Sequence, residues 1–255
     1  MRDVVLFVPC FVDQFQPSAA RSAVAVLERL GCRVHVAASA SCCGQPPTNA
    51  GYNDDGEALL TRFEQAHVRE VPGDAPVVVL SGSCAQHVRA HTTHDALRRR
   101  VQEFTAFLHD EIGLPALAAL GATCPARVAV HIGCHALRGL GLAVPSERGP
   151  GSTVAPRNLV TAVLAQVHGL EVAPLTRPDE CCGFGGTFAL GEPELSTRMG
   201  TDRLRDMRRA KAEAVVTTDL SCALHLRAVA EANGAPLPMW HVAEVLDPAR
   251  RLGRG

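Results

Sequence analysis

DECCGFGGTF (179–188) sets two cysteines side by side ahead of a glycine-rich turn, and SCCGQPP (41–47) carries the same Cys-Cys-Gly. Adjacent cysteines are poor partners for one another, because the intervening peptide resists closing so small a ring. The chain has ten cysteines in 255 residues. A disulfide framework belongs to small secreted domains. The start, MRDVVLFVPC (1–10), has only five apolar residues between Asp3 and Pro9. A secretory leader needs about 7–15, so this stretch reads as a first buried strand. Metal ligation or redox chemistry is left to explain the thiols.

The pair is the middle of a repeated set. In the first half, 31 residues separate Cys10 from Cys42-Cys43, and 40 separate Cys43 from Cys84. In the second half the separations are 46, from Cys134 to Cys181-Cys182, and 39, from Cys182 to Cys222. Only Cys32 and Cys124 stand outside the two sets. The flanks agree. Cys10 follows the apolar run VVLFV and Cys134 follows VAVHIG. Ala23, Val26, Leu27 and Leu30, and again Val160, Val163, Leu164 and Val167, have the spacing of one buried helix face. Gly31 and Gly169 then suit left-handed caps.

CRVHVAA (32–38) and LEVAPL (170–175) predict short strands leading to each Cys-Cys-Gly. Leu59, Leu60 and Phe63 mark a helix in the first half, and 192–209 its counterpart, acidic at the start and basic at the end as the helix dipole favours. VVVL (77–80) and AVVTT (214–218) follow, then VQEFTAFLHD (101–110) and LPMWHVAEVLD (237–247) close the halves. Short apolar strands alternating with amphipathic helices imply a parallel sheet covered on both faces. The fold class is α/β: two tandem, similar doubly wound units, 1–122 and 123–255, with the cysteine sets at the C-terminal ends of strands. The extra residues of the second half are expected in a surface loop over 139–156, rich in glycine, proline and charge.

In open parallel sheets those strand ends converge where ligands bind. Four thiolates per site, Cys10, Cys42, Cys43 and Cys84, then Cys134, Cys181, Cys182 and Cys222, suit an iron–sulfur cluster or zinc. Gly44 and Gly183 allow the sharp turn that lets neighbouring thiolates face one site. Gly183, Gly185 and Gly186 also let backbone N–H groups approach a negatively charged cofactor. Structural zinc satisfies the ligand count, but its sites favour closely spaced cysteine knuckles over adjacent pairs. With 25 basic residues against 26 acidic and no long block of like charge, nothing marks a nucleic-acid or anionic-membrane surface. No apolar run approaches the roughly 18 residues of a membrane span, so the reading is a soluble, cytoplasmic protein. No dinucleotide fingerprint or Walker motif occurs, since GFGGTF lacks the third glycine in place.

CCGQP (42–46), SGSC (81–84), CCGFGGTFAL (181–190) and MWHVAEVLD (239–247) together resemble the cysteine-rich CCG domain family of iron–sulfur proteins, and within it the lactate utilisation protein A branch. The Cys-Cys-Gly-bearing component of heterodisulfide reductase belongs to the same wider family. The resemblance implies up to one iron–sulfur cluster of 4Fe–4S type per repeat. It also implies a cytoplasmic electron-transfer subunit, rather than a stand-alone enzyme, acting with sister proteins that oxidise L-lactate to pyruvate. By the same resemblance, one sister is expected to be a ferredoxin-type iron–sulfur protein. A heterodisulfide-reductase-like thiol/disulfide oxidoreductase and a zinc-stabilised, non-redox assembly subunit are the alternatives.

One departure matters. Reductase-like members end their motif in Cys-x-x-Cys, whereas Ser81 and Asp219 stand at the matching positions here. Each half is one thiol short, which favours a four-cysteine site, or one with an oxygen ligand, over a five-thiolate centre. His87 and His225 each lie three residues beyond the last cysteine, on its helix face. They read either as tuning ligands or, since imidazole is a minority cluster ligand, as ordinary helix histidines. His135 reads as a structural neighbour of Cys134 rather than a general base. Cys32 reads as a small buried hydrophobe, and Cys124, in GATCP, as an exposed residue of the connection.

Overall fold

The structure is a computed structural model describing residues 1–252 apart from 38, 41, 72 and 149–157. Among the described residues, two four-stranded, all-parallel sheets carry the chain. The first contains β1 (Arg2–Phe7), β2 (Cys32–His35), β3 (Val77–Val79) and β4 (Val101–Glu103), ordered β2-β1-β3-β4. The second repeats it with β5 (Arg127–His131), β6 (Glu171–Val172), β7 (Ala214–Thr217) and β8 (Met239–His241), ordered β6-β5-β7-β8. The winding direction reverses after the second strand of each unit, so the switch point lies between β1 and β3 in one sheet and β5 and β7 in the other, as in doubly wound folds.

The principal helices are α1 (Cys10–Phe15), α2 (Pro17–Arg29), α3 (Asn53–Arg69), α4 (Gly82–His91), α5 (Phe104–Phe107), α6 (Leu159–Leu164), α7 (Pro193–Arg209), α8 (Leu220–Ala232) and α9 (Val242–Leu246). Ala23, Val26 and Leu27 are buried along α2 as their spacing predicts, and Gly31 and Gly169 take positive φ of 81° and 76°. β2 and β6 are shorter than the apolar runs that predict them. The loop expected over 139–156 is described only to Arg148, and its remainder lies outside the described residues.

Alternation along the strands sends residues to two faces. Val5, Phe7, Val77 and Val79 join Leu60 and Phe63 of α3 in one cluster with Cys43 and Cys84. Val4, Leu6 and Val78 face the other way, into a core that runs without a break through α2, α6, α9 and the second sheet. The closing helices cross over. Among the described residues α9, which ends the second half, packs on α2 of the first, and α5, which ends the first, packs on α6 of the second. Glu244 of α9 accepts hydrogen bonds from Gln16 Nε2 (2.6 Å) and Ser18 Oγ (2.7 Å), so the exchange is polar as well as apolar.

The residues at the turn from last strand to closing helix are equivalent and buried. Glu103 lies opposite Val79 in the register, and His241 lies opposite Thr217. The Glu103 carboxylate caps α5, accepting from the backbone N–H of Thr105 (2.7 Å) and Ala106 (3.0 Å). His241 Nδ1 accepts from Ala243 N–H (3.1 Å) at the start of α9. Burial raises the Glu103 carboxyl to about 7 against an ordinary 4.5. Burial lowers His241 to about 4.

Glu103 sets a pH dependence. The unfolded chain releases this proton near the ordinary value and the folded chain holds it to about 7, so stability contributed here is lost as pH rises through that window. Glu103→Gln removes the titration. Chemical denaturation between pH 4.5 and 7 is expected to show the variant gaining on the wild type as pH rises, by at most about 3 kcal/mol.

Candidate metal centres

Each cysteine set comes together at the strand ends. In the first, the Cys10, Cys42, Cys43 and Cys84 thiols form a chain of side-chain contacts in that order. The second repeats it with Cys134, Cys181, Cys182 and Cys222. All ten cysteines are free thiols. The middle thiols, Cys42 and Cys181, are pulled well below the ordinary range because two neighbouring S–H groups donate to each. The outer partners Cys10 and Cys134 are pushed up by the same bonds and by burial. Soft donors held this close suit a thiophilic metal or cluster.

The glycines act as their positions imply. Gly44 and Gly183 adopt φ of 91° and 89°. A Cβ at Gly183 would lie 2.7 Å from Ser196 O of α7, so the turn packs directly on that helix. Gly44 N–H points at Cys42 Sγ (3.5 Å), Gly183 N–H at Cys181 Sγ (3.4 Å) and Phe184 N–H at Cys182 Sγ (3.5 Å). Gly185 and Gly186 line the space beyond, also at positive φ.

That space is one cavity of about 390 Å³, bordered by Cys10, Cys43 and Cys84 of the first set and by all of the second. Phe11 and Phe184, one from each half, meet edge to face across its wall at 5.7 Å. Ser81 and Asp219, the positions lacking a thiol, lie at its floor and meet each other. Asp219 Oδ1 caps α8 through Ser221 N–H (3.3 Å), while Oδ2 accepts from Ser81 Oγ (3.0 Å) and from Ser83 N–H of α4 (2.9 Å). One buried carboxylate therefore caps the two helices whose first turns present Cys84 and Cys222. Both its oxygens are engaged in holding helices.

The histidines separate. His87 is buried, stacks on His91 at 4.3 Å, and is lowered to about 4, chiefly by burial. His225 Nε2 lies 3.4 Å from Ser196, turned toward α7. His135 Nδ1 is 3.7 Å from Cys134 Sγ. Cys32 is buried, as expected. Cys124 is buried too, which corrects the exposed position expected for it. Its N–H bonds to His168 O (2.9 Å), folding the connection beneath the second sheet.

One residue escaped the motif reading. A ring nitrogen of His131, Cys182 Sγ and Cys222 Sγ lie within 4.8 Å of one another. His131 precedes its cysteine rather than following it. Setting β5 against β1, where the same place is Phe7, is the signal that singles it out.

The chain belongs to the cysteine-rich CCG domain family, whose model matches residues 4–89 and 128–227. Lactate utilization protein A of Shouchella clausii is 33% identical over 257 residues, 96% of this chain and 98% of that protein. The Exiguobacterium sp. protein of that name is 32% identical over 262 residues, 97% and 98% of the two chains. Lactate utilization protein A 1 of Bacillus mycoides is 31% identical over 263 residues, 98% of each. These relatives place the chain in the lactate utilization protein A branch.

Asp219 supplies a stability prediction. Asp219→Ala removes the cap of α8, the acceptor of Ser83 N–H in the first turn of α4 and the carboxylate partner of Ser81 Oγ–H, while Ser81 still caps α4 through Cys84 N–H. Denaturant titration is expected to show a loss of about 2–4 kcal/mol. Asp219→Asn, which keeps a capping oxygen, is expected to lose less.

Proposed function

We propose that this chain is a cytoplasmic iron–sulfur electron-transfer subunit in lactate utilisation, acting with sister proteins, one of them of ferredoxin type, that oxidise L-lactate to pyruvate. The single observation that carries the reading is the gathering of two four-thiol sets at one cavity, which seven of the eight thiols line and Cys42 adjoins through Cys10 and Cys43. The lactate assignment is drawn from the names of the relatives. The donor set fits a cluster: four soft sulfurs per half, backbone N–H groups aimed at them, and glycines that keep side chains out of the approach. Cys10, Cys42, Cys43 and Cys84 would hold one group, and Cys134, Cys181, Cys182 and Cys222 the other. Bound there, such a group, of 4Fe–4S type on the family resemblance, supplies reversible one-electron transfer.

The chain's own residues supply the setting. Gly44, Gly183 and Phe184 donate N–H groups that favour added negative charge on the sulfurs. Phe11 and Phe184 keep water from the wall between the sets. Ser81 and Asp219 fix the helix starts that carry the last cysteines and leave no fifth thiol, which favours electron transfer over disulfide cleavage. Among the described residues no helix is long and apolar enough to cross a bilayer.

Anaerobically purified protein is expected to contain iron and acid-labile sulfide in matching amounts, with zinc below them. Cys134→Ala/Cys222→Ala should lose about half of the iron, read by elemental analysis, as one of two sites goes. With the sister proteins present, lactate should bleach the visible absorption of this chain, and without them it should not. Zinc without sulfide would overturn the proposal, as would bleaching by lactate acting on this chain alone.

A further inference from the structure

The two halves match so closely that a difference between them carries meaning. A Cβ on Gly44 would meet Gly56 O and Leu60 N, and one on Gly183 would meet Ser196 O and Gly200 N. Gly56 thus corresponds to Ser196 and Leu60 to Gly200. One turn on, Phe63 of α3 corresponds to Arg203 of α7. The strands give the second equivalence, since Phe7 pairs with Val79 and His131 with Thr217. Beside the first thiol set lies an aromatic pair, Phe7 and Phe63, edge to face at 4.8 Å. Beside the second lies a hydrogen-bonded pair, with Arg203 Nε donating to His131 Nδ1 at 3.3 Å.

Both members of that pair are fully buried, and their bonding fixes a proton. Arg203 also donates to the carbonyls of Val130, Arg177 and Pro178, which hold its guanidinium in place. A guanidinium can only donate, so Nδ1 of His131 is an acceptor and the neutral ring carries its hydrogen on Nε2. Nε2 is buried without a hydrogen-bond partner among the described residues. It belongs to the ring that approaches Cys182 and Cys222. With its hydrogen there, Nε2 has no lone pair for a metal. It is left as an N–H that can donate only to a group bound within the cysteine set.

Other neighbours do not reverse this. Gly44 and Gly183 N–H groups are equivalent donors in the two halves, as are those of Gln45 and Phe184. His87 and His225 likewise occupy matching places. His67, the buried histidine nearest Phe7 and Phe63, is tied by Nδ1 to its own helix at Phe63 O. His135 stands beside Cys134 where Phe11 follows Cys10, a difference in the same direction. Asp206, 3.9 Å from Arg203, offsets part of the guanidinium charge, so the Nε2–H donor is the difference that counts.

We propose that His131, oriented by Arg203, makes the second cysteine set the more oxidising of two otherwise matched redox sites. An N–H aimed at cluster sulfur favours the reduced form, with its added negative charge, and raises the potential. Two phenyl rings in the same place give no such donor. One electron then leaves the reduced first site and enters the oxidised second, with no other reactant. His131 is a positioning and tuning residue, and Arg203 acts through it. The inference rests on the iron–sulfur reading above.

The test is an anaerobic redox titration with dithionite, followed by paramagnetic resonance and visible absorption. Wild type is expected to reduce in two separate steps. His131→Phe, which installs the first half's residue, should weaken electron uptake in the upper step alone by tenfold or more, which is about 59 mV for one electron. His131→Gln, which keeps an N–H, should retain at least half of the wild-type separation. Should His131→Phe fail to hold iron, Phe7→His/Phe63→Arg carries the test and should raise the lower step. A single step in wild type, or a His131→Phe change that is absent or equal in both steps, overturns the inference while the iron–sulfur reading stands. Protein lacking iron and sulfide overturns that reading and this one with it.

Discussion

A carboxylate shared between two helix N-termini holds the centre of this molecule. Asp219 Oδ1 caps its own helix, and Oδ2 reaches across to Ser81 and to the first turn of α4. Each helix carries the last cysteine of its set within its first turn. The anion satisfies orphan N–H groups of both helices and sits where both dipoles favour negative charge. The relative position of Cys84 and Cys222 is therefore set by one buried side chain. The cavity above it, open to both thiol sets, takes its shape from that tie.

Doubling the unit gives more than two sites. Strand order, glycine turns and cysteine placement repeat from one half to the other, so shared features cannot distinguish the halves. What differs stands out. Phe7 and Phe63 close one site with hydrocarbon, whereas His131 and Arg203 bring a polar hydrogen and a charge to the other. Burying an arginine is costly unless its donors are met, and here three carbonyls and an imidazole meet them.

The cysteine sets and the α/β pattern were legible because they depend on local spacing. VVLF before Cys10 and VAVH before Cys134 read directly as strands, and the stripe in α2 read as one buried face. Cys-Cys-Gly read as a turn because only glycine takes the φ of 91° found at Gly44 without strain. The crossing of α5 and α9 was not legible, since an amphipathic pattern states that a face is buried and not what buries it. Ser81 and Asp219 were recognisable as missing thiols, but their bond joins positions 138 residues apart. His131 was hidden inside a strand run, where alternation marks it only as inward-facing. Cys124 sits among residues typical of loops, and its burial comes from a distant backbone partner at His168.

The crossed closing helices also bear on how the chain is made. On a ribosome the first half emerges complete in its strands and in its first set of cysteines. Its α2 stripe still waits for α9, which is synthesised after the second set of cysteines. Domains that fold as independent units can finish in sequence as they appear. Here α5 and α9 each pack on the other half, so the core of either half is completed by the other's closing helix. Whatever cell machinery delivers a metal or cluster to Cys10, Cys42, Cys43 and Cys84 would meet a finished receptacle only after translation has passed the second set.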